Sequence, residues 1–249
     1  MTSLALLERD GPIATLKLNR PEARNAMSIA LLEAMHERVH ELESMDDVTV
    51  LVITGEGKAF CAGMDLKAVL GDSEAPARLL GLLAELTVRI RRLPMAVVAK
   101  VNGAAIGGGC GLTCVCDFCV THADSKMGFP EVDLGVCPAV VAPWLVRKIG
   151  AGAARAILLR GGLMTGAEAH QRGIVTHLVD TRDGLDFGTS ELAGTLAKAG
   201  PRALRATKSL LNDLDGSLDE ELSRRAAGIS AEVLATPEAQ ATLRARLGL

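Results

Sequence analysis

Residues 97–112 read V-V-A-K-V-N-G-A-A-I-G-G-G-C-G-L, and the chain continues through C-D-F-C-V at 116–120 to M-G-F-P-E-V-D-L-G at 127–135. The apolar run that ends at Asn102 and Gly103 reads as a buried strand turning sharply. Gly107, Gly108 and Gly109 then open a short apolar helix. Glycines at a helix start leave the backbone N–H groups bare, so an oxygen gaining negative charge can approach the positive end of the helix without meeting a Cβ. One carboxylate, Glu131, follows that helix.

Working outward, 249 residues with 49% apolar side chains suffice for one large domain, or one domain with an appendage, around a substantial core. A net charge of −3 and an aromatic share of 2% argue against a nucleic-acid surface, which needs a basic face or stacking platforms. Any phosphate must be met by local cations. The start, M-T-S-L-A-L-L-E-R-D, meets charge too early for a signal peptide, and no apolar run approaches the roughly 20 residues of a membrane helix. The expected location is the cytoplasm, with no membrane partner. Cys110, Cys114, Cys116 and Cys119 crowd together, but in an apolar helix-to-strand run rather than the paired turns of a zinc site, so they read as small core residues. Cys61 has no sequence-adjacent His or Lys to activate it and reads the same way.

Upstream, Ile13, Thr15, Leu16 and Leu18 after the turn at Asp10 and Gly11 predict a hairpin. Ser28 is a natural N-cap for a helix through about Met45 that carries Ile29, Leu32, Met35, Val39 and Leu42 on one face. His36 and His40 lie on it without a third ligand and read as structural. Residues 48–54 form a β-branched run typical of a buried parallel strand, with a turn at 55–57. Residues 68–76, with Gly71, Asp72, Ser73 and Pro76, predict a loop, followed by a helix over 77–93 ended by Pro94. The default role of Arg89, Arg91 and Arg92 is to complement that helix's dipole.

Beyond the central stretch, two helices are expected over 139–150 and 151–160, with Trp144 in the core. A capping box at Thr165 and Glu168 opens another helix, and a strand is expected over 174–179. The remainder reads as four helices, over 184–199, 201–212, from 218 onward behind Ser217 and Glu220, and behind Thr236.

Four motifs, N-R-P-E-A-R-N-A-M at 19–27, G-K-A-F-C-A-G-M-D-L at 57–66, the glycine run, and P-E-V-D-L-G at 130–135, resemble in order and spacing those of the crotonase superfamily, the enoyl-CoA hydratase/isomerase family. The resemblance spans nearly the whole chain. It implies an α/β fold, a spiral of ββα units over residues 1–190, with a helical C-terminal region at 191–249 that packs on neighbouring subunits in a homotrimer or dimer of trimers. It also implies an acyl-CoA thioester as substrate, with coenzyme A part of that substrate and no metal, flavin or nicotinamide.

The resemblance assigns the backbone N–H groups of Met64 and Gly108 to the thioester oxygen, and Glu131 to acid/base work. Arg24, Ala26, Ala62, Gly63, Asp65, Leu66, Lys67 and Gly107 are then placed around the substrate. Arg24 and Lys67 are candidate phosphate contacts, Asp65 a loop-fixing acceptor, and Met64 a side chain that narrows the acyl pocket. Arg246 is a candidate substitute for a basic tail that relatives carry. Hydratases of the family pair two glutamates, and Gly111 stands at the first of those positions. Three readings follow: a hydratase with a single glutamate, favoured because V-C-P-A-V-V-A-P-W at 136–144 is similar to methylglutaconyl-CoA hydratases sharing that glycine; a double-bond isomerase; or an acyl-CoA binder without turnover. Asp133 is a further candidate acid, and Asp117 a hydrogen-bond acceptor at a helix end.

Overall fold

A computed structural model gives the structure of residues 3–70, 72 and 74–248. Gly71 and Ser73 of the expected loop, and residues 1, 2 and 249, lie outside the described residues. The hairpin forms as β1 (Ala5–Asp10) and β2 (Ile13–Leu18), antiparallel, with Ala14, Leu16 and Leu18 turned inward by the two-residue period of a strand. Helix α1 (Ile29–Glu43) follows, capped by Ser28, whose Oγ accepts from the Leu31 amide.

The spiral then shows itself in strand order. β3 (Val50–Gly55), β5 (Ala96–Val101) and β7 (Phe118–His122) lie side by side and parallel in a sheet ordered β1-β2-β3-β5-β7-β10, where β10 is His177–Val179. Each of these three strands is followed at once by a short strand of a second sheet: β4 (Ala59–Cys61), β6 (Ala104–Ile106) and β8 (Lys126–Gly128). β9 (Leu163–Thr165) completes that sheet by pairing antiparallel with β8. Helices close each turn: α2 (Leu66–Val69) and α3 (Ala75–Arg92) after β4, α4 (Gly108–Val115) after β6, and α5 (Ala142–Ile149) and α6 (Ala151–Arg160) after β8. Helix α7 (Gly166–Gln171) carries the expected capping box, with both reciprocal bonds between Thr165 and Glu168 present.

The main core packs between the large sheet and helices α1, α3 and α4. A smaller cluster of Val50, Val52, Val98, Val120, Leu185 and Ala193 lies under α8 (Leu185–Ala197). α9 (Pro201–Asp215), α10 (Glu220–Leu234) and α11 (Pro237–Leu247) finish the chain.

Several expectations need correction. The second sheet was not legible in advance, because three-residue strands carry too few residues to show an alternation. Helix α3 begins at Ala75, where Asp72 Oδ1 accepts from the Glu74 and Ala75 amides at 2.8 and 2.9 Å, and the segment before it holds the short helix α2. The helix expected from 139 begins at Ala142, since residues 139–141 form a turn held by Val141 N and Ala142 N bonding to the Pro138 carbonyl. The strand expected over 174–179 is limited to His177–Val179, and the cap of α10 is Asp219 rather than Ser217. Arg89, Arg91 and Arg92 go beyond dipole complementation, pairing with Glu43, with Asp117 and Asp215, and with Glu220 respectively.

Candidate active site

The loop at 62–65 is pinned by backbone to the segment before α1. Ala62 N donates to Arg24 O at 3.0 Å, Met27 N to Gly63 O at 2.8 Å, and Asp65 N to Met27 O at 3.0 Å. These bonds make a parallel bridge between Met27 and Met64 that uses the groups flanking Met64, so the Met64 N–H points away from Met27. The buried side chain of Asn25 holds the upstream segment in place, accepting from Arg20 N and donating to Glu56 O and Ala59 O. Arg20 spans the loop from the other side, with Nη1 2.6 Å from Asp65 Oδ2 and 3.0 Å from Ala26 O.

Asp65 therefore has two structural duties, pairing with Arg20 and capping α2 through Ala68 N. Leu66, half-buried, opens that helix. Arg24 and Lys67 are exposed, and neither side chain has a hydrogen-bond or ion-pair partner among the described residues.

The start of α4 meets this loop closely. A Cβ at Gly109 would lie 2.3 Å from the Cys61 carbonyl oxygen, so only glycine lets the helix approach so near. Gly107 is its N-cap with φ +55°, and Gly108 is the first helical residue, whose N–H has no helical acceptor. Met64 Cγ is 3.7 Å from where a Gly108 Cβ would stand. Neither the Met64 N–H nor the Gly108 N–H has an acceptor among the described residues.

Glu131 arrives from the other side. It follows β8 and Pro130 at the head of a 3-10 turn, Val132–Leu134, and its carbonyl takes the Leu134 and Val136 amides. Its side chain is 7% exposed and lies against Gly107, whose Cβ, were there one, would be 3.0 Å from Oε1. Oε2 is buried with no hydrogen-bond partner among the described residues. Burial pushes the carboxyl up to about 7, against a weaker opposing hydrogen bond from its own backbone.

Glu131, Met64 and Gly108 line one cleft with Leu80 and Leu83 of α3, Cys137, Pro138, Val140, Val141 and Ser230 of α10. Ser230 was not foreseen: it lies 99 positions from Glu131 and belongs to no motif. Its Oγ donates to Cys137 O at 2.8 Å and accepts from Ala139 N at 3.1 Å, holding the wall of the cleft. Asn25 stands in the 19–27 motif with no role of its own legible there, because its clamping of two turns needs their fold.

Not every candidate reaches the cleft. Asp133 turns away, accepting from Gly162 N at 2.8 Å, and Asp117 sits beneath α9 with Arg91 and Lys208. His36 bonds to Leu82 O and Arg89 while His40 is exposed beside Glu43, so the two histidines diverge. Cys61, Cys110, Cys114, Cys116 and Cys119 are buried, and burial raises every one of these thiols, Cys61 to about 12. Arg246 lies exposed on α11.

The model of the family described as Enoyl-CoA hydratase/isomerase matches residues 8–242. This chain belongs to the enoyl-CoA hydratase/isomerase family. It is 33% identical over 222 residues to the crotonyl-CoA hydratase of Syntrophomonas wolfei, covering 88% of this chain and 85% of that protein. It is 32% identical to the 2,3-dehydroadipyl-CoA hydratase of Escherichia coli, over 83% of this chain and 80% of the other. A crystal structure of an enoyl-CoA hydratase from Mycobacterium avium superposes with a TM-score of 0.88 at 28% identity, covering 100% of this chain and 97% of that one. The fold is thus that of the family's solved members, C-terminal helices included. No helix among the described residues is long and apolar enough to cross a membrane.

Proposed function

We propose that this member of the enoyl-CoA hydratase/isomerase family is a hydro-lyase that adds water to an α,β-unsaturated acyl-CoA thioester with Glu131 as its acid/base. The observation that carries this reading is a buried carboxyl, raised to about 7 and with one oxygen unpaired, in the same cleft as two backbone amides without acceptors. A group of that acidity both takes and returns a proton near neutrality.

The Met64 and Gly108 N–H groups would bind the thioester oxygen, and loss of one such donor costs about 10²- to 10³-fold in rate. The Glu131 carboxylate would take a proton from water as its oxygen bonds to C3. The electron pair of the double bond moves to give an enolate held by the two amides, and the Glu131 proton then goes to C2. Arg24 and Lys67, exposed and unpaired beside the loop, are suited to the coenzyme A phosphates. Exposed Leu210, Leu211 and Leu214 on α9 support burial of that helix in a homotrimer or dimer of trimers. Light scattering of the purified protein tests that assembly.

A second reading has its own support. Gly111 leaves one carboxylate, and one suffices for an isomerase that moves a proton between C2 and C4. Incubation with crotonyl-CoA, 3-methylglutaconyl-CoA and a 3-enoyl-CoA in ¹⁸O-labelled water separates the two by mass spectrometry. A product heavier by one labelled water is expected from crotonyl-CoA, whereas unchanged mass with a displaced double bond makes the enzyme an isomerase. Binding of all the esters without change makes it a carrier.

A further inference from the structure

We infer that Val141 fills the place of a second carboxylate and restricts this cleft to a short, uncharged acyl chain. The inference rests on the proposed acyl-CoA site and says what that site accepts. Gly111 lies three residues after Gly108 on α4, so both present the same helix face. A Cβ at Gly111 would stand 2.2 Å from Val141 Cγ1 and 2.7 Å from its Cβ, separations that no real contact tolerates. Val141 is 3% exposed and lines the Glu131 cleft itself. The absence of a carboxylate at 111 is therefore not an empty place in the wall, because an isopropyl group occupies it.

Two consequences follow for the ligand. The open volume of the cleft is about 10 Å³, at the lower limit for a single water, roughly 10–15 Å³. With Val141 in that place a longer acyl chain competes with its side chain for room, and each added methylene adds to that competition. The lining also holds no Lys, Arg or His among the described residues; its one ionisable carboxyl is Glu131. A chain ending in its own carboxylate would bury that charge unpaired next to a second acid, which is strongly unfavourable. A plain hydrocarbon chain meets Met64, Leu80, Leu83, Val140 and Val141 without that penalty.

The test uses saturated esters, which bind without reacting, so that recognition is read apart from turnover. Calorimetry of butyryl-, octanoyl- and glutaryl-CoA with the wild type is expected to show butyryl-CoA tighter than either of the others by at least about 10-fold, the scale on which apolar pockets discriminate. Val141→Ala is expected to bring octanoyl-CoA to within about threefold of butyryl-CoA while glutaryl-CoA stays weak.

Gly111→Ala reports on the same contact without any ligand. It is expected to lower the melting temperature alone and to be tolerated together with Val141→Gly. Equal affinity for butyryl- and octanoyl-CoA in the wild type, tight glutaryl-CoA binding, or an unchanged chain-length ratio in Val141→Ala overturns the inference. Selective binding without turnover of the matching enoyl ester leaves the inference standing and defeats the hydratase reading. Hydration of long or dicarboxylic chains does the reverse, and failure to bind any of the esters defeats both.

Discussion

A carboxyl with a buried, unpaired oxygen resists ionisation, and at Glu131 that resistance has a cost in stability as well as a use in catalysis. Its folded value of about 7 stands above the ordinary 4.5, so as pH rises the unfolded chain releases this proton first. Between those two values the unfolded state binds fewer protons, and folding loses stability as pH rises, by about 3 kcal/mol in all. Glu131→Gln is therefore expected to be more stable than the wild type at pH 8, with the gap closing towards pH 5, as chemical denaturation at the two pH values would show. The same substitution is expected to lower kcat by about 10²- to 10⁴-fold. In the wild type kcat/KM should rise with pH through an apparent pKa near 7, because the carboxylate form takes the first proton; a flat profile would remove Glu131 from that role. Gly107→Ala places a methyl against Oε1 in a left-handed backbone conformation and is expected to lower kcat with a smaller effect on KM, read by steady-state kinetics.

At the scale of elements, the cleft is assembled by short segments that are held from outside themselves. The 62–67 loop depends on Asp65, which both caps α2 and pairs with Arg20. Asp65→Ala is expected to cost about 1–2 kcal/mol in urea denaturation and to raise KM for the acyl-CoA, since the Met64 amide loses its fixed direction. Ser230→Ala removes the hydroxyl between Cys137 O and Ala139 N, with an expected loss of about 1–3 kcal/mol by the same measurement. Elements with a local signal were legible in the sequence: α1 from Ser28 and its apolar face, β3 from its β-branched run, β5 from its apolar run, α7 from its capping box. The short strands β4, β6, β8 and β9 were not, because a three-residue strand is defined by what it pairs with.

At the scale of the whole molecule, the C-terminal helices are tied to the spiral by charge. Lys208 of α9, almost wholly buried, reaches Asp117 at 2.8 Å and Met95 O at 2.9 Å, and Arg91 joins Asp117 to Asp215. Burial lowers the Lys208 ammonium while the Asp117 carboxylate holds it up. Asp117→Ala leaves Lys208 without its carboxylate and is expected to cost about 3–5 kcal/mol in thermal or urea unfolding, more than Lys208→Met, which removes the buried charge itself. By itself the sequence determined the family, the long strands β3 and β5 and the glycine-opened helix, since each shows in runs of residues close along the chain. Only the tertiary structure decided that Asn25 clamps two turns beside the cleft and that Ser230 holds the cleft from 99 positions away. It alone showed that Val141 fills the space beside Gly111. Which side chain occupies a given volume is settled by packing between distant segments, and no local pattern of residues encodes it.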